Sequence, residues 1–176
     1  MLNQRIEKML NDQITKELYS STLYLSMASW FSSASLNGFS KWYYVQTAEE
    51  RDHALIFYNY MQQVGARTIF QELDKPGFDF KDTLDVLEQT VKHEEFITDS
   101  IYQIVKAANE EMDFKTVQFL NWFIEEQVQE ENAANTNLNK FKTMGQDGKA
   151  IYLLDAEMGT RIYTKTQLLV TMEAKL

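Results

Sequence analysis

Residues 82–109 read DTLDVLEQTVKHEEFITDSIYQIVKAAN, and one face of this run decides the fold class. Taken at alternating steps of three and four, it gives Leu84, Leu87, Val91, Glu94, Thr98, Ile101, Val105 and Ala108. That spacing is how an amphipathic helix turns one stripe toward a core. The stripe is apolar at both ends, and Glu94 interrupts its middle. A carboxylate inside an apolar core costs several kcal/mol unless something neutralises it.

Three further stripes flank this one. Helix one, predicted over 3–36, presents Leu10, Gln13, Glu17, Ser20, Tyr24 and Met27. Helix two, over 39–65, presents Phe39, Tyr43, Gln46, Glu50, His53, Phe57, Tyr60 and Val64. Helix four, ending near 143, presents Leu120, Phe123, Gln127, Glu130, Ala134 and Phe141. Every stripe carries a carboxylate near its middle. At about 1.5 Å of rise per residue, the four heights agree within a turn or two.

The connections set the topology. Asn37-Gly38 is expected to end helix one, with Ser40 capping helix two. Glu110-Glu111-Met112-Asp113 forms a tight turn between helices three and four. Between helices two and three lie roughly fifteen residues, long for a bundle connection, with the single proline in Asp74-Lys75-Pro76-Gly77. Short links make antiparallel neighbours; the long one travels the bundle and leaves helices two and three parallel. Gly145-Gln146-Asp147-Gly148 then breaks the chain, and a short amphipathic helix over 149–158 follows. The expectation is an all-α four-helix bundle with one long crossover and a short fifth helix. It comprises a domain over 1–159 and a tail over 160–176.

Composition narrows the function. Six glycines and one proline in 176 residues suit a helical protein. The absence of cysteine removes disulfides, thiolate metal sites, iron–sulfur clusters and thiol nucleophiles. With 17 basic against 26 acidic residues, net −9, the chain is a poor match for nucleic acid. No run is apolar enough to span a membrane. No basic segment leads into an apolar run at the start, so a cytoplasmic location is expected.

Nothing basic sits on the inward stripes; Arg51 and Lys92 fall off them, and His93 lies one step from Glu94 at a solvated or interface position. Two divalent cations would balance Glu17, Glu50, Glu94 and Glu130 charge for charge. Glu50-x-x-His53 adds an imidazole one turn from a carboxylate, the spacing of carboxylate-bridged two-metal sites. Oxygen ligands with one nitrogen suit iron or manganese. A lone Glu-x-x-His is a weak signal; agreement across four helices carries the reading. The aromatics Tyr43, Phe57, Phe123 and Phe141 are read as core packing.

With Glu17-Leu18-Tyr19-Ser20-Ser21, Tyr24, Glu49-Glu50-Arg51-Asp52-His53, Glu94 and Trp122-Phe123-Ile124-Glu125-Glu126-Gln127-x-x-Glu130-Glu131, the chain resembles the bacterial non-haem ferritins over nearly its full length. Gln127-x-x-Glu130 stands where rubrerythrins and diiron oxygenases carry a second Glu-x-x-His. No haem is implied, because Asp52 lies near where bacterioferritins place a methionine. The resemblance implies a ferroxidase that oxidises Fe(II) with O2 or H2O2 and stores ferric mineral in a cage of twenty-four copies. It implies one iron on Glu17 and His53, a second on Glu94 and Glu130, and Glu50 bridging them. Gln127 would be a ligand or hydrogen-bond partner of the second iron, and Tyr24 an electron donor or a packing residue. A third iron would use Glu49, Glu126 and Glu130. Gln129 replaces a further glutamate there, so that site is expected to be weaker or differently occupied. The tail has no clear counterpart and is expected to be disordered or to fill a cavity. Two other readings stay open: a diiron oxidase or peroxidase without storage, and a metal-free helical scaffold.

Overall fold

The structure is a computed structural model that describes residues 2–145 and 147–174. Six helices form among them: α1 (Gln4–Ser33), α2 (Asn37–Gln63), α3 (Thr83–Glu110), α4 (Phe114–Met144), α5 (Gly148–Met158) and α6 (Gln167–Glu173). The first four make an all-helical bundle in which α1 packs on α2 and α3 on α4.

Side-chain caps fix most of the helix starts. Asn3 accepts from the Arg5 amide at 2.8 Å, Asp82 from Asp85 at 2.9 Å and Asp147 from Ala150 at 2.8 Å. Asp113 accepts from the Thr116 amide at 3.3 Å. Each satisfies a backbone donor that the first turn leaves free.

The α1–α2 corner differs from its sequence reading. Helix α1 stops at Ser33, and Ser35 takes the turn with φ of 60°. Asn37-Gly38 therefore opens α2 rather than closing α1. Ser40 is already inside the helix and its hydroxyl donates to Ala28 O at 2.9 Å, so it is not the cap. Asp155 of α5 supplies that function, accepting from the Phe39 amide at 2.9 Å. Only glycine allows the approach: a Cβ on Gly38 would lie 1.6 Å from the Asp155 carbonyl oxygen.

The crossover can be traced by its anchors along α1. Asn11 holds it at one end, accepting from the Ile69 amide at 2.6 Å and donating to Arg67 O at 3.3 Å. Further on, Ser26 donates to Gly77 O at 2.6 Å, and Trp30 meets Phe80 edge-on. The segment thus runs from the first turns of α1 to its last, about 28 Å at helical rise. It delivers the chain to the end where α2 also begins, so α2 and α3 run parallel.

The bundle interior is two apolar clusters separated by a polar band. One holds Ile6, Leu10, Ile14, Phe57, Ile101 and Phe123; the other holds Met27, Phe31, Phe39, Tyr43, Leu87 and Phe141. Tyr43, Phe57, Phe123 and Phe141 are core residues, as the stripes predict. The tail adds α6, whose Leu169 and Met172 join the first cluster. The segment after α5 therefore packs on α2 instead of leaving the bundle.

Candidate metal centre

The polar band lies where the four stripes are interrupted. Glu17, Glu50, His53, Glu94, Gln127 and Glu130 are all buried, with Glu17 only 1% exposed. Each sits near the middle of its helix, so no helix terminus is available to satisfy it. The band must be held together by its own side chains or by something bound to it.

Its hydrogen bonds show how far the side chains manage alone. Glu50 Oε2 lies 3.4 Å from His53 Nδ1. Gln46 donates to Glu50 at 3.0 Å and to Glu130 at 2.8 Å. Gln13 donates to Glu17 at 2.8 Å. Glu94 accepts from the Tyr24 hydroxyl and lies 3.4 Å from the Gln127 amide nitrogen, which also reaches Thr98 at 3.2 Å. Glu17 Oε2 is left over. Among the described residues it is the one buried side-chain oxygen with no hydrogen-bond partner. A buried carboxyl oxygen without a hydrogen-bond partner is what a cation would satisfy.

Two groups of candidate ligand atoms lie within 4.8 Å of one another: Glu17, Glu50 and His53, and His53, Glu126 and Glu130. His53 Nε2 faces Glu126 at 4.0 Å, while Nδ1 faces Glu50. The imidazole thus stands between the two groups. Glu94, on α3, falls in neither group and is held by Tyr24 and Gln127. The donor set is carboxylate-rich with one nitrogen, which fits a hard or borderline divalent cation.

Crowding sets the protonation pattern. Burial and the neighbouring Glu50 charge push Glu17 up to about 8. The same two causes bring Glu130 to about 7. Glu94 is driven well above the carboxylate range by burial, then by Glu50 and Glu130. Burial opposes the charge on Glu50, but His53 and the Gln46 amide outweigh it and lower Glu50. His53, which burial alone would lower, is held up at about 10 by Glu50. Without metal, in mildly acidic solution, the band is therefore a Glu50–His53 ion pair among protonated acids.

Several sequence expectations need adjusting. His93 is half-buried rather than solvated; its ring packs against Tyr24 and Tyr19, and Nε2 lies 2.7 Å from the Ser20 hydroxyl. Gln129 is exposed, one residue before the buried Glu130. Glu49 is not free, because Arg161 of the tail pairs with it. The stripes offered no inward cation, yet Arg161 supplies one from outside the four helices. Gln13 and Gln46 lay on the stripes; two amides in phase with two glutamates were the available signal for their role as carboxylate partners.

A sequence model of the ferritin-like domain family matches residues 7–144. A bacterial non-heme ferritin of Campylobacter jejuni is 39% identical over 155 residues, covering 88% of this chain and 93% of that protein. One from Staphylococcus aureus is 34% identical over 163 residues, covering 93% and 98%. Among solved structures, an open pore ferritin from the archaeon Archaeoglobus fulgidus superposes with a TM-score of 0.91 at 36% identity, covering 92% of this chain and all of that one. A humanized archaeal ferritin gives 0.91 at 38% identity, with 93% and 99% covered.

Proposed function

The chain belongs to the ferritin-like domain family, and from that premise we propose that it is an iron-storage protein with ferroxidase activity. It takes two Fe(II) into the polar band of each chain, oxidises them with O2 or H2O2, and passes Fe(III) into the cavity of a cage of twenty-four copies. The observation that carries this reading is the unpartnered Glu17 oxygen among four buried carboxylates on four helices.

The ligand roles are those that the family resemblance implies. Glu17 and His53 take one iron, Glu94 and Glu130 the other, and Glu50 bridges them. Gln127 is a neutral neighbour of the second iron; its amide nitrogen faces Glu94. Entry of two dications displaces the protons that Glu17, Glu94, Glu130 and His53 hold, so charge changes little and the buried band stays balanced. Each Fe(II) then gives up one electron. O2 accepts both together with two protons and leaves as H2O2, while the irons leave as Fe(III). Carboxylates favour Fe(III) over Fe(II), since hard oxygen anions stabilise the higher charge. Tyr24 donates its hydroxyl hydrogen bond to Glu94 and so holds that carboxylate in the band.

Assembly is supported by apolar side chains left uncovered on the single chain. Phe70, Phe78, Phe114 and Tyr152 are each more than half exposed, more than an isolated subunit this size tends to leave in water. Among the described residues no helix is long and apolar enough to cross a membrane.

Titrating Fe(II) into the aerobic protein while recording O2 uptake tests the reading. A break near two irons per chain supports it, provided that hundreds of irons then remain in each assembly. Retention of only a few per chain would mark an oxidase without storage, and the absence of accelerated uptake would refute the ferroxidase.

A further inference from the structure

Arg161 lies on the irregular segment between α5 and α6, outside the four helices that build the centre. That segment is held at several points. Lys41 donates to Gly159 O at 2.8 Å, Tyr163 donates to the buried Asp52, and Leu169 and Met172 anchor α6 in the core. Arg161 is thereby delivered to one place on α2. Its guanidinium lies over the Trp42 ring, 4.4 Å from the centroid. Nη2 pairs with Glu49 Oε2, and Nη1 donates to Gln46 Oε1 at 2.6 Å. Both members of the ion pair are about three-quarters buried, at 23% and 22% side-chain exposure.

The contact with Gln46 extends the effect inward. An arginine can only donate, so the side of Gln46 that meets it must be the amide oxygen. The amide nitrogen is then turned to Glu50 and Glu130, to which it donates. One guanidinium thus neutralises Glu49 and sets the orientation of an amide between two carboxylates of the centre. Burial raises both Glu49 and Glu130, and the Arg161 charge works against that rise.

We propose that Arg161 is a built-in cation that withholds Glu49 from metal and so restricts the carboxylate cluster to two ions per chain. The inference rests on the ferroxidase reading of the centre. A dication reaching Glu49 would have to displace a stacked, doubly hydrogen-bonded guanidinium or sit beside its charge. Without Glu49 a third ion would find only Glu126 and the His53 and Glu130 atoms that the centre already uses. Arg161 acts through Glu49 and Gln46 and is a positioning residue.

The test uses full-length assembled protein and Zn(II), a redox-inert probe. Crystals soaked in Zn(II) and measured on both sides of the zinc edge should show two ions among Glu17, Glu50, His53, Glu94 and Glu130 in the wild type, and none on Glu49. Arg161→Ala should gain a third ion ligated by Glu49, raising the count from two to three per chain. Arg161→Ala combined with Glu49→Gln should lose it again. Arg161→Lys, which keeps the charge without the fork, should stay at two, a rescue that mere packing of the strap would not give. If Arg161→Ala does not assemble, Arg161→Gln keeps the stem over Trp42 and carries the same expectation. Zinc on Glu49 in the wild type overturns the proposal, as does a variant that stays at two. A wild type with no zinc in the band overturns the ferroxidase reading and this inference together.

Discussion

At the scale of single residues, the centre is governed by where protons sit before metal arrives. Glu17 at about 8, Glu130 at about 7, His53 at about 10 and the strongly raised Glu94 all hold a proton at pH 6.5. Metal ligation requires those protons to leave. Anaerobic loading with two Fe(II) at pH 6.5 should therefore release close to four protons per chain in a pH-stat, one from each of these groups. Apparent affinity should rise steeply from pH 6 to 8. Loading that releases almost none would mean the acids were already ionised. The buried polar residues were legible in sequence because each breaks an apolar stripe with an expensive group. The protonation pattern was not, since it depends on which carboxylates face Glu50. Arg161 was also hidden: it lies on no stripe and reaches α2 only through the fold of the tail.

At the scale of helices, the periodicities of α1 to α4 were clear because long amphipathic runs leave little choice of face. Their ends were less clear. Asn37-Gly38 reads as a helix stop, and the same pair serves here as a start, because Asp155 from a distant helix provides the cap. No local rule registers a partner that is 116 residues away. The contact predicts that Gly38→Ala displaces α5, since its Cβ cannot coexist with the Asp155 carbonyl. The expected loss is about 1–3 kcal/mol from overpacking, read as a lower denaturation midpoint. Asp155→Ala should cost about 1 kcal/mol through the lost cap alone. An unchanged midpoint in Gly38→Ala would show that α5 does not seat on α2 as described.

At the scale of the whole molecule, the polar band opposes stability unless it is filled. Folding raises Glu17, Glu94 and Glu130 from an ordinary value of 4.5, so the folded state holds more protons than the unfolded one between that value and the raised ones. Stability of the metal-free protein then falls as pH rises from about 4.5 toward about 8. His53 adds to the fall between 6.5 and about 10, and lowered Glu50 acts the other way only in acid. The metal-free protein should thus melt at a lower temperature at pH 8 than at pH 5.5. Saturating Zn(II) should reverse the order, because bound metal takes over the compensation of charge. A metal-free melting temperature that is higher at pH 8 would contradict the protonation pattern. The long crossover and the parallel α2–α3 pair were readable from link lengths alone. The return of the tail onto α2 was not, because Leu169 and Met172 show their partners only in the folded chain.

The central claim is that the buried carboxylates of four helices together hold two irons. Anaerobic crystals soaked with Fe(II) and measured on both sides of the iron absorption edge test it most directly. The account predicts two iron peaks per chain inside the band, touching Glu17, Glu50, His53, Glu94 and Glu130. A band without iron, or a single ion that leaves Glu17 unliganded, would contradict it.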